Sequence, residues 1–193
     1  MIMKSYQYTP LSSWLGNADV LYLDARVLWL QISGMGGGLI LMWLAIEQLM
    51  KTVVFQERLK NGDSKKSNMD EVLIELTSWG KKIGHSFKAN RAALYKSHPE
   101  IFTAEEEIIL QSVYDHFEAR YVDNQSRSIE IKALKVLDEV YFRLRDLMSE
   151  DIPMSHMDMI DSHRHSQIYR MADYTKFAFI DNPHFHGRAN YRT

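Results

Sequence analysis

Val27-Leu28-Trp29-Leu30-Gln31-Ile32-Ser33-Gly34-Met35-Gly36-Gly37-Gly38-Leu39-Ile40-Leu41-Met42-Trp43-Leu44-Ala45-Ile46 is a run of 20 residues without a charge. As one helix it would extend about 30 Å, the apolar thickness of a bilayer. Yet four of the five positions from Gly34 to Gly38 are glycine, and glycine loses the most backbone entropy in a helix, so the cluster punctuates the run. We therefore read the end of one helix, a connection over Gly34 to Gly38, and the start of another, with no membrane span.

Working outward, apolar residues recur at steps of three and four on both sides, the period of an amphipathic helix. Leu15, Tyr22, Ala25, Trp29 and Ile32 share one face; Leu39, Met42, Ile46, Leu49 and Val53 share the next. After the polar stretch from Asn61 to Ser67, a third helix opens at Asn68 with Glu71 three residues on, a capping pattern. It carries Val72, Leu76, Trp79 and Ile83, is expected to kink or break near Gly84, and resumes through Phe87, Arg91, Leu94 and His98 before Pro99. The next begins at Thr103 with Glu106 as a capping box, presents Ile109, Val113 and Phe117, and runs to about Tyr121. The last bears Leu134, Leu137, Tyr141, Leu144 and Met148, with Arg143 and Arg145 off the stripe, and no internal repeat is evident.

The expected class is all-α, with a helical bundle over residues 1–150. Residues 151–193 are expected to form an irregular, histidine-rich C-terminal appendage packing on the bundle or on a partner. The 193 residues, 46% of them apolar, suffice for one core without a cofactor. The absence of cysteine excludes disulfides, thiolate metal sites and cysteine nucleophiles. The amino-terminal residues Met1 to Tyr6 do not read as a secretion signal, so a cytoplasmic setting is expected. With 23 Lys and Arg against 25 Asp and Glu, any contact with nucleic acid must be a local patch.

Three stretches resemble a known family. Gly38-Leu39-Ile40-Leu41-Met42-Trp43-Leu44-Ala45-Ile46-Glu47-Gln48-Leu49-Met50-Lys51 looks like the second helix of HEPN domains (higher eukaryote and prokaryote nucleotide-binding). Ile83-Gly84-His85-Ser86-Phe87 is similar to the family's Gly-His-x-Leu-like element. Ala119-Arg120-Tyr121-Val122-Asp123 resembles its Arg-Tyr-Pro turn, with Val122 where proline is usual. The resemblance covers roughly residues 20 to 150. It implies a four-helix up-and-down bundle that commonly forms homodimers, and functions spread over metal-independent endoribonucleases, non-catalytic RNA or nucleotide binders, and partners of nucleotidyltransferases.

Catalytic members carry an Arg and a closely following His. The one match of that spacing is Arg91-Ala92-Ala93-Leu94-Tyr95-Lys96-Ser97-His98. On a continuous helix, seven positions turn through about 700 degrees, so both side chains would share a face, Arg91 clamping the scissile phosphate and His98 taking the 2′-hydroxyl proton. Against this stand Ala92, where a polar residue is usual, and the pair's place in the third helical segment. In the plainer reading Arg91 packs its stem on the apolar stripe while His98 closes a helix end.

His85, Arg120, Tyr121 and Arg127 are further candidates for anion or nucleotide binding. In the tail, His163 and His165, and His184 and His186, are weak metal-ligand candidates by their alternate spacing, without a recognised site pattern. Walker, Gly-x-Gly-x-x-Gly and Gly-x-Ser-x-Gly motifs are absent. The alternative reading from another class is a non-enzymatic homodimeric interaction or scaffolding protein whose tail docks a protein partner.

Overall fold

The structure is a computed structural model, and it describes residues 10–30, 35–61, 69–119 and 132–148. Among the described residues the chain is all-helical: α1 (Pro10–Leu30), α2 (Met35–Lys60), α3 (Met69–Ile83), α4 (Phe87–Leu94), α5 (Ala104–Ala119) and α6 (Lys132–Asp146). α2 is the central helix, packing along α1 and against α4, α5 and α6. α5 also meets α4 and α6, and α3 leans on α1.

The uncharged run does divide, between α1 and α2. The division differs from expectation in one respect: Gly36, Gly37 and Gly38 lie in the first turn of α2 rather than in a connection. Gly38 has a packing reason, since a Cβ there would stand 2.7 Å from the backbone nitrogen of Trp29 and 2.8 Å from the carbonyl oxygen of Ala25. The glycine lets the two helices cross in backbone contact at their shared end. The helix Gly36–Lys60 is long and apolar enough to cross a membrane by length and composition, but 78% of that apolar window is buried against the rest of the protein.

The stripes read from sequence supply the core. Leu15, Tyr22, Ala25, Trp29, Leu39, Met42, Ile46, Leu49, Val53, Leu76, Phe87, Leu94, Val113, Phe117, Leu134, Leu137, Tyr141, Leu144 and Met148 are all buried. The capping box at α5 closes as its sequence requires: Thr103 N–H donates to Glu106 Oε2 at 2.8 Å and Glu106 N–H to Thr103 Oγ1 at 3.2 Å. Arg143 of α6 then grips Glu106 with two bonds of 2.7 and 2.8 Å and reaches the Ile101 carbonyl at 2.8 Å.

Arg145, off the apolar stripe, is nonetheless fully buried, and it donates through Nε to Asp19 at 3.3 and 3.4 Å. Tyr141 also donates to Asp19, at 2.6 Å. The mirror set lies beside it, with Tyr22 donating to Asp138 at 2.6 Å and Arg26 ion-paired with the same carboxylate. Asp19-x-x-Tyr22-x-x-x-Arg26 and Asp138-x-x-Tyr141-x-x-x-Arg145 are one short pattern used twice, where no internal repeat was expected. Each aspartate takes the tyrosine and arginine of the other helix, so α1 and α6 meet antiparallel about a local two-fold. All six side chains are buried.

The described part of residues 1–150 thus holds the helical core, and the appendage over 151–193 lies outside the described residues.

Candidate functional site

The break expected near Gly84 is present. α3 ends at Ile83, Gly84 adopts φ +68°, and α4 begins at Phe87. A β-carbon would be strained at that φ. Ser86, extended at φ −61° and ψ 123°, caps α4 by accepting from Ala89 N–H at 3.4 Å. Buried Asn90 clamps the turn from inside, its Nδ2 donating to the carbonyls of Ser86 (2.9 Å) and Gly84 (3.3 Å). His85 therefore projects from a turn held on both flanks.

Its imidazole is 59% exposed, yet Nδ1 lies 2.9 and 3.1 Å from the two carboxylate oxygens of Glu47, whose side chain is 5% exposed. Glu47 is also paired with Lys51 one turn along α2, at 2.5 Å. A carboxylate so placed accepts Nδ1–H, which assigns the other ring nitrogen, Nε2, to any further contact. Phe117 supports the ring at 5.5 Å between centroids, over an aromatic floor of Trp43, Phe87 and Tyr114. Burial, followed by the charges of Glu118, Asp115 and Glu47, raises the pKa of Tyr114, which therefore stays a neutral phenol.

Lys81 and Lys82 close α3, and Lys88 stands in the first turn of α4; all three are exposed. Among the described residues none has an ion pair. From residue 76 to residue 99 the chain contains no Asp or Glu, but five Lys or Arg and two His. That acid-free stretch is the signal by which a local patch was visible in the sequence, hidden by the near-neutral total.

Arg91 and His98 are differently placed from what their spacing implied. α4 stops at Leu94, with Tyr95 as C-cap, and His98 N–H closes a turn onto the Leu94 carbonyl at 3.0 Å. His98 therefore lies beyond the helix, and the continuous-helix argument for a shared face does not hold. The Arg91 guanidinium pairs with Glu107 at 2.5 Å and lies over the Phe87 and Tyr95 rings. Tyr95 also donates to Glu107, and burial together with that bond pushes its pKa up to about 12. His98 is half-buried, with Nε2 unpartnered among the described residues.

Arg120, Tyr121 and Arg127 lie outside the described residues, as do His163, His165, His184 and His186. Among the described residues no group of three or more His, Cys, Asp or Glu is placed to hold a metal ion. In comparison with known proteins, the chain matches no family model, no curated protein and no solved structure.

Proposed function

We propose that this protein associates with RNA or nucleotides through the α3–α4 break, on a four-helix up-and-down bundle of the HEPN-like kind that acts as a homodimer in the cytoplasm. The observation that carries the reading is His85, an exposed imidazole set against a buried, ion-paired carboxylate. Such a ring can accept from a ribose hydroxyl through Nε2 when neutral and pair with a phosphate when protonated. The resemblance of the segment from Gly38 to Lys51, and of the Gly84-His85 turn, supports the same assignment.

Metal-independent endoribonuclease activity is the stronger form of this reading, because it needs a base and a cation on one phosphodiester. Arg91 is engaged by Glu107 and His98 stands off the helix, so the geometry favours a non-catalytic relative with His85 at the contact. The test is binding of oligoribonucleotides and mononucleotides, and RNA cleavage in chelator, by the wild type and by His85→Ala, Arg91→Ala and His98→Ala. The reading expects wild-type binding weakened about tenfold by His85→Ala, equivalent to about 1.4 kcal/mol, and little changed by the others. Absence of wild-type binding, or equal binding by His85→Ala, contradicts it.

A second reading, a homodimeric scaffolding protein whose C-terminal tail docks a partner, draws on Ile74 and Ile108, which are 68% and 72% exposed on α3 and α5. Retained partner binding with no affinity for nucleotides would favour it.

A further inference from the structure

We infer that Lys81, Lys82 and Lys88 form a strip over which the phosphates of a single-stranded nucleic acid run past His85. This rests on the association proposed above and adds the surface and the strand type. Lys81 and Lys82 precede His85 in the chain and Lys88 follows it across the break, all are exposed, and none has an ion pair among the described residues. Lysine is a compact cation suited to phosphate, and it gains most where no carboxylate competes.

The surroundings limit where such a strand can lie. Arg91, the next cation along the chain, is neutralised by Glu107. At the start of α5, Glu106 and Glu107 are taken up by Arg143 and Arg91, and Glu47, Asp115 and Glu118 lie about Tyr114 beside His85, so the cations a polyanion meets next to the break are the lysines at the end of α3 and the start of α4. A flexible strand can bend its phosphates to meet lysines on either side of a turn. A duplex presents them at fixed separations.

The expected effect is quantitative, because each phosphate neutralised on a single strand contributes about 0.7 to the slope of log affinity against log salt. The experiment measures binding of a short labelled oligouridine over a range of potassium chloride. It compares the wild type with Lys81→Gln/Lys82→Gln/Lys88→Gln and with Lys135→Gln at an exposed position of α6, helicity being checked in each. The strip predicts a slope smaller by about 2 in the triple variant and unchanged in Lys135→Gln. Binding with an undiminished slope in the folded triple variant overturns the strip and leaves the association standing. Equal affinity for a duplex of the same length overturns the single-strand assignment, and no binding by the wild type at low salt overturns the association itself.

Discussion

The rings of Tyr22 and Tyr141 stack with centroids 4.0 Å apart and planes 11° apart, at the centre of the buried seam between α1 and α6. Around them each helix donates a tyrosine hydroxyl and an arginine to the other's aspartate. Tyr141 is accordingly held well above the ordinary tyrosine pKa, first by burial and then by Asp19. A buried ion pair gains little over an apolar pair of similar volume, but breaking one half of it leaves an uncompensated charge.

Asp138→Asn should therefore destabilise by about 3–5 kcal/mol, because Arg26 stays buried without its counter-ion. Urea unfolding measures it. Tyr22→Phe/Arg26→Met/Asp138→Leu should recover most of that loss, and a triple variant as unstable as Asp138→Asn would show that the seam contributes by more than charge compensation.

Glu106 gives a pH dependence with a definite sign. Burial alone would raise its pKa, but hydrogen bonds from Arg143 and the Thr103 backbone outweigh it and hold the carboxyl below its ordinary 4.5. A depressed folded-state pKa contributes stability that is present above that ordinary value and lost as pH falls through the lower, folded one. Arg143→Leu should lower stability at neutral pH and flatten its acid dependence below 4.5. Unfolding midpoints measured from neutral to acid pH check this; parallel curves for the two proteins would contradict it.

Two glycines should be intolerant for different reasons. Gly38→Val should cost at least about 1–3 kcal/mol, since the new side chain meets backbone atoms of α1 that cannot rotate away. Gly84→Ala meets nothing within 4 Å and should cost about 1–2 kcal/mol from its left-handed φ alone. Thermal unfolding of each variant measures the costs, and a neutral Gly38→Val would contradict the close crossing.

The sequence made the apolar framework legible because burial is periodic and periodicity survives without coordinates. Leu39, Met42, Ile46 and Leu49 could be assigned to one face by spacing alone. The Thr103–Glu106 box and the break at Gly84 were legible because capping and left-handed turns depend on residues a few positions apart. The seam was not, because Asp19 and Arg145 are separated by most of the chain. A charged residue off a stripe looks solvated until its partner is known. The α4 terminus misled for the converse reason: Ala92-Ala93-Leu94-Tyr95 are all helix-compatible, and nothing local marks Leu94 as the last helical residue.

Arg91 offers a test of the site assignment. Its guanidinium is partly exposed and shared among Glu107, Phe87 and Tyr95, and pairs of that kind contribute about 0–1 kcal/mol. Arg91→Ala should lower stability by no more than that and leave oligonucleotide affinity within about twofold. Chemical denaturation and anisotropy titration on one preparation decide it, and a tenfold loss of affinity in a folded Arg91→Ala protein would return Arg91 to the centre of the site.

The central claim, that His85 is the residue a nucleotide or RNA ligand meets, is tested most directly by following the imidazole signals of the wild-type protein by NMR during titration with a short oligoribonucleotide. Each ring is assigned by single His→Gln substitution. The His85 ring signals should move first and saturate with the binding isotherm, while those of His98 stay in place. Saturable binding with an unmoved His85 ring, or no binding at all, would contradict it.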